Sequence, residues 1–449
     1  MKRIFILSLV AGSLLLGACG KDPDLPEATG KASVRAINGI SSSQEISVLI
    51  EERAIGTATY TGTTPSARYD DLEYTFNIEA FYAGETSLRR IASQFIDFEA
   101  DKDYTLLVSG SLASPEIALW EGDERSFDAA DTVFEARFAH ASDALGTVDY
   151  YFADAAVVPV LGNQVATLSF GEISAATDYE AGDYVLTITA AGDPGTVIYQ
   201  SDTTTFAAQS SLIVTSFDGN ATTAAPVVVR AINTLGSNIT VPDAGIPPTI
   251  EFVNASMDLG TTDIYDDELL TSQIVTNHAY LDQSAELDIS VGDNIFYFTP
   301  VGDTATVLLE GTVPAFGGTR YRLVAVGPAG DFNTRVVVPD RQPVETHAKL
   351  LLFNAAYNFE FLDVYAVEPD TTIDDVFPIR SGLASLQSVA SAQLATGSYD
   401  IYITEFQQKV VLAGPYRIDV VVGDIVDALI VDTVDPAVLD VLFLSGGPL

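Results

Sequence analysis

The sequence predicts an all-β protein made of tandem antiparallel β-sandwiches, and three observations carry that expectation. Val, Ile, Thr, Tyr and Phe are plentiful, while apolar residues rarely recur at helical spacing. Turn signals built on Gly, Asn, Asp and Pro return about every 8 to 12 residues, the cadence of short strands joined by tight connections. The chain also repeats itself four times over.

Each unit opens with a β-type run that ends in Asn or His followed by a small residue: Asn38–Gly39, His140–Ala141, Asn254–Ala255 and Asn354–Ala355. Nine residues after each anchor lies the centre of a second strand, at Ser47, Asp149, Asp263 and Asp363. Three of these centres sit in alternating runs, Val148–Asp149–Tyr150, Asp263–Ile264–Tyr265 and Asp363–Val364–Tyr365. At mid-unit a turn feeds another strand, as Gly182–Asp183–Tyr184, Gly292–Asp293–Asn294 and Gly397–Ser398–Tyr399 do, with Tyr74, Phe76 and Ile78 keeping the same alternation in the first unit. The runs 104–108, 211–216, 321–326 and 426–431 supply one more strand each. The 431 residues after position 18 give about 108 per unit, close to the roughly 100 of an immunoglobulin-like sandwich.

The units are expected at 31–130, 131–245, 246–345 and 346–449, divided in polar or Pro-containing stretches such as Pro242–Pro248 and Pro339–Thr346. Connectors this short predict sandwiches stacked end to end as a semi-rigid rod.

Before the first unit, Lys2 and Arg3 precede an apolar run from Ile4 to Leu16, too short to span a bilayer and shaped like an export signal over 1–18. Gly17 and Ala18 stand directly before Cys19, the only cysteine, and this run resembles a bacterial lipobox. The resemblance implies a lipid anchor on Cys19, followed by a leash over residues 19–30. Gly20 and Lys21 lack the Asp that holds lipoproteins in an inner membrane, so the expected address is the outer membrane of the envelope.

Charge excludes one class of partner. Lys and Arg number 21 against 62 Asp and Glu, a net charge of −41, which would repel a phosphate backbone; nucleic acid is not a partner. The four units carry −9, −11, −11 and −10, so the acidity is an even coat that favours solubility and is relieved by salt. Loop carboxylates are the candidate metal ligands: Asp70 with Asp71, Asp266 with Asp267 and Glu268, and Asp374 with Asp375. Carboxylate oxygens suit Ca²⁺, but none of these runs has the spacing or central Gly of an EF-hand. Asp149, Asp263 and Asp363 are expected on the solvent face or bonded to a neighbouring turn.

Catalytic chemistry finds little support. His140, His278 and His347 are the only histidines, in three different places, and His140 occupies an anchor that siblings fill with Asn, so its expected job is to close a turn. No nucleophile elbow or phosphate-cradling loop is present, and the single Trp120 beside an apolar run is expected in a core.

The anchors, the Asp and Tyr strand nine residues on, and the run Gly318–Thr319–Arg320–Tyr321–Arg322–Leu323–Val324–Ala325–Val326–Gly327 resemble the bacterial domain of unknown function 4397, most clearly in the third and fourth units; Ser47 departs from the pattern in the first. The resemblance implies an immunoglobulin-like fold in exported, surface-located proteins and supplies no catalytic residues. The expected function is therefore a non-enzymatic, lipid-anchored envelope protein with a structural or adhesive role toward a surface protein or glycan, needing no cofactor. A carbohydrate- or calcium-binding module of a polysaccharide-handling system is the alternative.

Overall fold

A computed structural model describes residues 27–154, 158–221, 223–234, 236–387 and 389–444. Its elements are strands throughout, apart from a single 3-10 turn at Met257–Leu259 among the described residues. In the first unit they are β1 (Lys31–Asn38), β2 (Glu45–Ile50), β3 (Arg53–Thr59), β4 (Ala67–Asp70), β5 (Glu73–Ala80), β6 (Arg89–Asp97), β7 (Lys102–Ser111) and β8 (Ser114–Asp123). They form two sheets, ordered β4-β1-β7-β8 and β3-β2-β5-β6. The same two orders recur in the three later blocks of strands, where the second block adds an edge strand to each sheet. Within each block an apolar core lies between the two sheets, built for instance from Val34, Ile46, Phe76 and Leu106 in the first and Leu350, Val364, Ile403 and Ile430 in the fourth.

One pairing departs from the antiparallel expectation. β1 runs parallel to β7, with Asn38 opposite Val108, and Val133–Ala141, Thr249–Asn254 and Ala348–Asn354 are parallel to Ser211–Asp218, Arg320–Val326 and Ile425–Asp432 in the same way. The first and seventh strands are joined through the whole opposite sheet, and that long connection is what lets two neighbours run the same way. All other ladders are antiparallel.

The rod is overturned. The sheet holding β1 and β7 is apolar on both faces, and its outer face packs on the matching sheet of the next unit. Ile37, Leu107 and Trp120 meet Ala139, Ala141, Ile213, Phe217 and Ile232, and Val253, Val324, Val326 and Val337 meet Phe353, Leu429, Val431 and Leu444. The sandwiches therefore lie face to face in two pairs. A short connector dictates proximity, and the unbroken apolar runs dictate which faces meet. Trp120 belongs to this inter-unit core, with its Nε1–H donating to the Gly171 carbonyl at 2.8 Å.

The pairs in turn touch each other. Ala224 N–H donates to Gly318 O at 2.8 Å between the second and third units. The first unit meets the segment leading into the fourth, where Glu345 N–H donates to Ser42 O at 2.8 Å and Ala83 N–H to Thr346 O at 3.1 Å. The first and last quarters of the chain are thus brought together, which no rod allows.

Candidate functional site

The four anchors are buried at the ends of their strands and do the same work. The Oδ1 of Asn38, Asn254 and Asn354 accepts the N–H two residues on, from Ile40 at 3.0 Å, Ser256 at 3.1 Å and Ala356 at 3.1 Å. Their Nδ2 donates across the turn, to Ala58 O at 3.0 Å, Gly260 O at 2.8 Å and Phe359 O at 3.2 Å. His140 copies both bonds. Its Nδ1 accepts from Ser142 N–H at 3.3 Å and its Nε2 reaches Gly146 O at 3.0 Å, which assigns the neutral ring with its proton on Nε2. Burial pushes the imidazole below its ordinary value.

The recurrent aspartates point away from their own core, yet they are buried rather than solvent-facing, and each staples two turns to the second strand. Asp263 accepts Asn277 N–H and Gly302 N–H, both at 2.9 Å. Asp363 accepts the Ser381 hydroxyl at 2.7 Å, Gly382 N–H at 2.9 Å and Gln407 N–H at 2.8 Å. Asp149 accepts the Thr167 hydroxyl and Gly192 N–H at 2.7 Å. Gly192 and Gly302 have φ of 75° and 73°, a left-handed turn that points the amide at the carboxylate, and Gln407 adopts 59° for the same purpose. Ser47 cannot make this clamp, and the corresponding turn of the first unit, residues 81–88, bonds to Thr346 instead.

The tyrosine that belongs with these aspartates lies two residues on. Tyr265 packs with Leu270 and Tyr297, and Tyr365 with Val367 and Ile373, each under the loop that follows. In the second unit the equivalent is Tyr151, which lines a small hollow with Val158 and Pro159; Tyr150 points into the core and bonds Ala139 O at 3.0 Å.

Each pair interface also buries ions. Arg322 donates to Glu251 and to Asp427, both at 2.7 Å, and Arg341 reaches Glu251 at 2.6 Å. Burial raises the Asp427 carboxyl even so, with Arg322 opposing. In the other pair the buried Arg35 meets Asp103 at 3.1 Å. A tyrosine contact is repeated as well: Tyr60 OH donates to Asp218 O, and Tyr280 OH to Asp432 O. The side chains of those aspartates cap the first turn of their own units, at Asp143 and Tyr357. The sequence alone did not reveal these ions and tyrosines; the signal present was the continuous burial-grade hydropathy of the first and seventh strands.

The calcium candidates are placed separately. Asp70 pairs with Lys31 at 2.8 Å, and Asp71 is held at about 2 by the Thr29 hydroxyl and Gly30 N–H. Asp267 caps its own loop, accepting Ser272 N–H at 2.7 Å and the Thr271 hydroxyl at 2.7 Å, which lowers its carboxyl. Asp266 gives its backbone N–H to Ser272 O at 3.1 Å, and the Glu268 carboxylate helps raise the Tyr297 hydroxyl. Asp374 and Asp375 are exposed in the 368–379 loop. Among the described residues no three His, Cys, Asp or Glu side chains gather as a metal site. Cys19 lies outside the described residues. His278 is buried with Nε2 unpartnered, and His347 bonds Gln44 at 3.0 Å and Thr346 at 2.8 Å where the first and fourth units meet.

That junction carries a cleft of about 550 Å³, lined by Phe81 and Gly84 on one side and by Ile379, Ser391, Gln393 and Tyr399 on the other. A second hollow of about 260 Å³ shares Phe81 and Gln393 with it and is lined by Gln44, Glu45, Glu79 and His347.

These features define a repeat class: a protein of tandem β-sandwiches whose recurrent anchors and aspartates serve turns and whose buried arginines serve interfaces. The profile of the domain of unknown function (DUF4397) matches residues 32–151 and 248–365, and the chain belongs to that family. The first match includes Ser47, so loss of the clamp does not remove the first unit from the family. The two matches begin 216 residues apart (32 and 248) and end 214 apart (151 and 365), so each spans one sandwich and runs into its paired neighbour. No curated protein matches the sequence. Among solved structures, the Bacillus anthracis TIE protein is similar at 10% identity over 91% of this chain and 69% of that one, with a TM-score of 0.15, a level that supports no inference about this chain.

Proposed function

We propose that this is a non-enzymatic envelope protein, held to the outer membrane by lipid on Cys19, whose paired sandwiches present binding surfaces to other surface molecules. The observation that supports it is the spending of polar residues. His140, Asp149, Asp263 and Asp363, the side chains best suited to chemistry, are each saturated by turn hydrogen bonds and leave no free base or nucleophile where they sit. Rigid sandwiches that expose loops and strand edges are suited to recognition.

The test pairs anchoring with adhesion. Labelled palmitate is expected to enter the wild-type chain and not the Cys19→Ala variant, and beads coated with the protein are expected to adhere to cells of the producing strain. Palmitate-free protein secreted in soluble form, or hydrolysis of ester, glycoside or peptide substrates abolished by His140→Asn, would overturn the proposal.

A further inference from the structure

Resting on that binding role, we propose that the cleft between the first and fourth units takes an extended peptide segment of a partner protein, apolar at one end and basic at the other, which adds as a strand beside Ala390–Leu394. This segment is the last strand of its sheet, paired on one side with Ala348–Asn354 and with no named strand on the other. Its alternation sends Ala390, Ala392 and Leu394 inward and leaves Ser391 and Gln393 exposed on the cleft. An open strand edge offers N–H and C=O groups at the spacing an added strand requires, and main-chain bonding of that kind does not depend on the partner's sequence.

The two ends of the cleft supply the selectivity. Phe81, Ile379 and Tyr399 line one end and suit an apolar side chain. At the other, the Glu45 carboxylate has no hydrogen-bond or ion-pair partner among the described residues, and the Glu79 carboxylate has only Arg90 at 3.4 Å. With Arg90 already on Glu79, one Lys or Arg of the partner would offset the charge left on Glu45. The net charge of −41 acts in the same direction, drawing a basic segment in and turning an acidic one away. The first unit makes the cleft possible, because the turn that the missing aspartate would have tied down is the one that forms the opposite wall.

The experiment is selection of phage-displayed short peptides on the immobilised full chain at low salt, with counter-selection on the Ser391→Trp variant, whose indole fills the cleft from an exposed position. Enriched peptides are expected to alternate β-branched or aromatic residues and to carry Lys or Arg near one end. A synthetic copy of the leading peptide should bind at least about tenfold more weakly to Ser391→Trp and to Glu45→Lys, both checked for wild-type melting, and more weakly in high salt. Absence of enrichment, binding to both variants as tight as to the wild type, or preferential binding of an oligosaccharide that Phe81→Ala abolishes would overturn it. Bead adhesion that survives the failure of peptide binding would leave the binding role standing and remove only this site.

Discussion

At the residue scale, this fold depends on polar side chains buried at the ends of strands. Asp363 accepts three bonds from two turns, and no water or cation is needed to satisfy it. Replacing it with Ala strands two backbone N–H donors, and each buried unsatisfied donor costs about 1 to 3 kcal/mol. Asp363→Ala should therefore lower the denaturation free energy by roughly 2 to 6 kcal/mol by urea titration, whereas Asp375→Ala on the exposed loop should leave it unchanged. His347 carries a pH prediction. Burial, with Lys349 nearby, pushes it down from 6.5 to about 4, while Asp340 opposes. The unfolded chain then binds the proton first, so stability present at neutral pH is lost as pH falls from about 6.5 to about 4, by at most on the order of 3 kcal/mol. Burial displaces His140 and His278 in the same direction. Melting temperatures measured across that range should fall in the wild type and fall less in His347→Gln, which keeps a partner for Gln44. Equal slopes would assign the acid sensitivity to other groups.

At the element scale, the first and seventh strands decide the quaternary-like pairing of the sandwiches. Leu351, Phe353, Leu429 and Val431 point out of the fourth sandwich yet are buried, and each fully buried side chain of this size contributes about 1.5 to 3 kcal/mol. Within that apolar contact Arg322 bonds two carboxylates. Arg322→Ala would leave Glu251 with Arg341 and take from Asp427 its hydrogen-bonded cation, so it should cost about 3 to 5 kcal/mol and separate the unfolding of the third and fourth units. A single transition of unchanged midpoint in calorimetry would contradict the network's role. These strands also show what could be seen in the sequence. The anchors, the nine-residue offset and the strand centres were legible because turns and period-two alternation are local. The paired faces were not, since an unbroken apolar run such as Leu350–Phe353 fits one strand buried on both sides without naming what covers its second face. Parallel pairing of β1 with β7 was hidden for the same reason: register between strands far apart in sequence leaves no local mark. Tyr151 was passed over for its neighbour Tyr150 because both fit an alternating run, and only the hydrogen-bonded ladder fixes which shares a face with Asp149.

At the scale of the whole molecule, shape and charge pull in opposite directions. The even acidic coat favours expansion, while the two pair interfaces and the contacts at Ser42 and Thr346 favour closure. Among the carboxylates considered for calcium, Asp71 and Asp267 are already engaged by backbone and hydroxyl donors and Asp70 by Lys31, while Asp374 and Asp375 stand exposed and apart from them. Melting in Ca²⁺ and in NaCl of matched ionic strength is therefore expected to coincide, both above the low-salt value because screening relieves self-repulsion; a rise specific to Ca²⁺ would assign those loops a metal. The same balance sets the dimensions in solution. A compact chain of this length has a radius of gyration of about 22 Å, and four sandwiches joined in two face-to-face pairs with the first touching the fourth should lie slightly above it. A linear stack would exceed it by well over half. Small-angle scattering at moderate salt should give the smaller value, and lowering the salt should swell the particle first at the junction of the first and fourth units, which is closed by backbone hydrogen bonds such as Glu345 N–H to Ser42 O, whereas each pair is closed by an apolar cluster. Swelling that instead began within a pair would mean that repulsion of the acidic coat outweighs the apolar faces there, since low salt strengthens the buried ion pairs rather than loosening them.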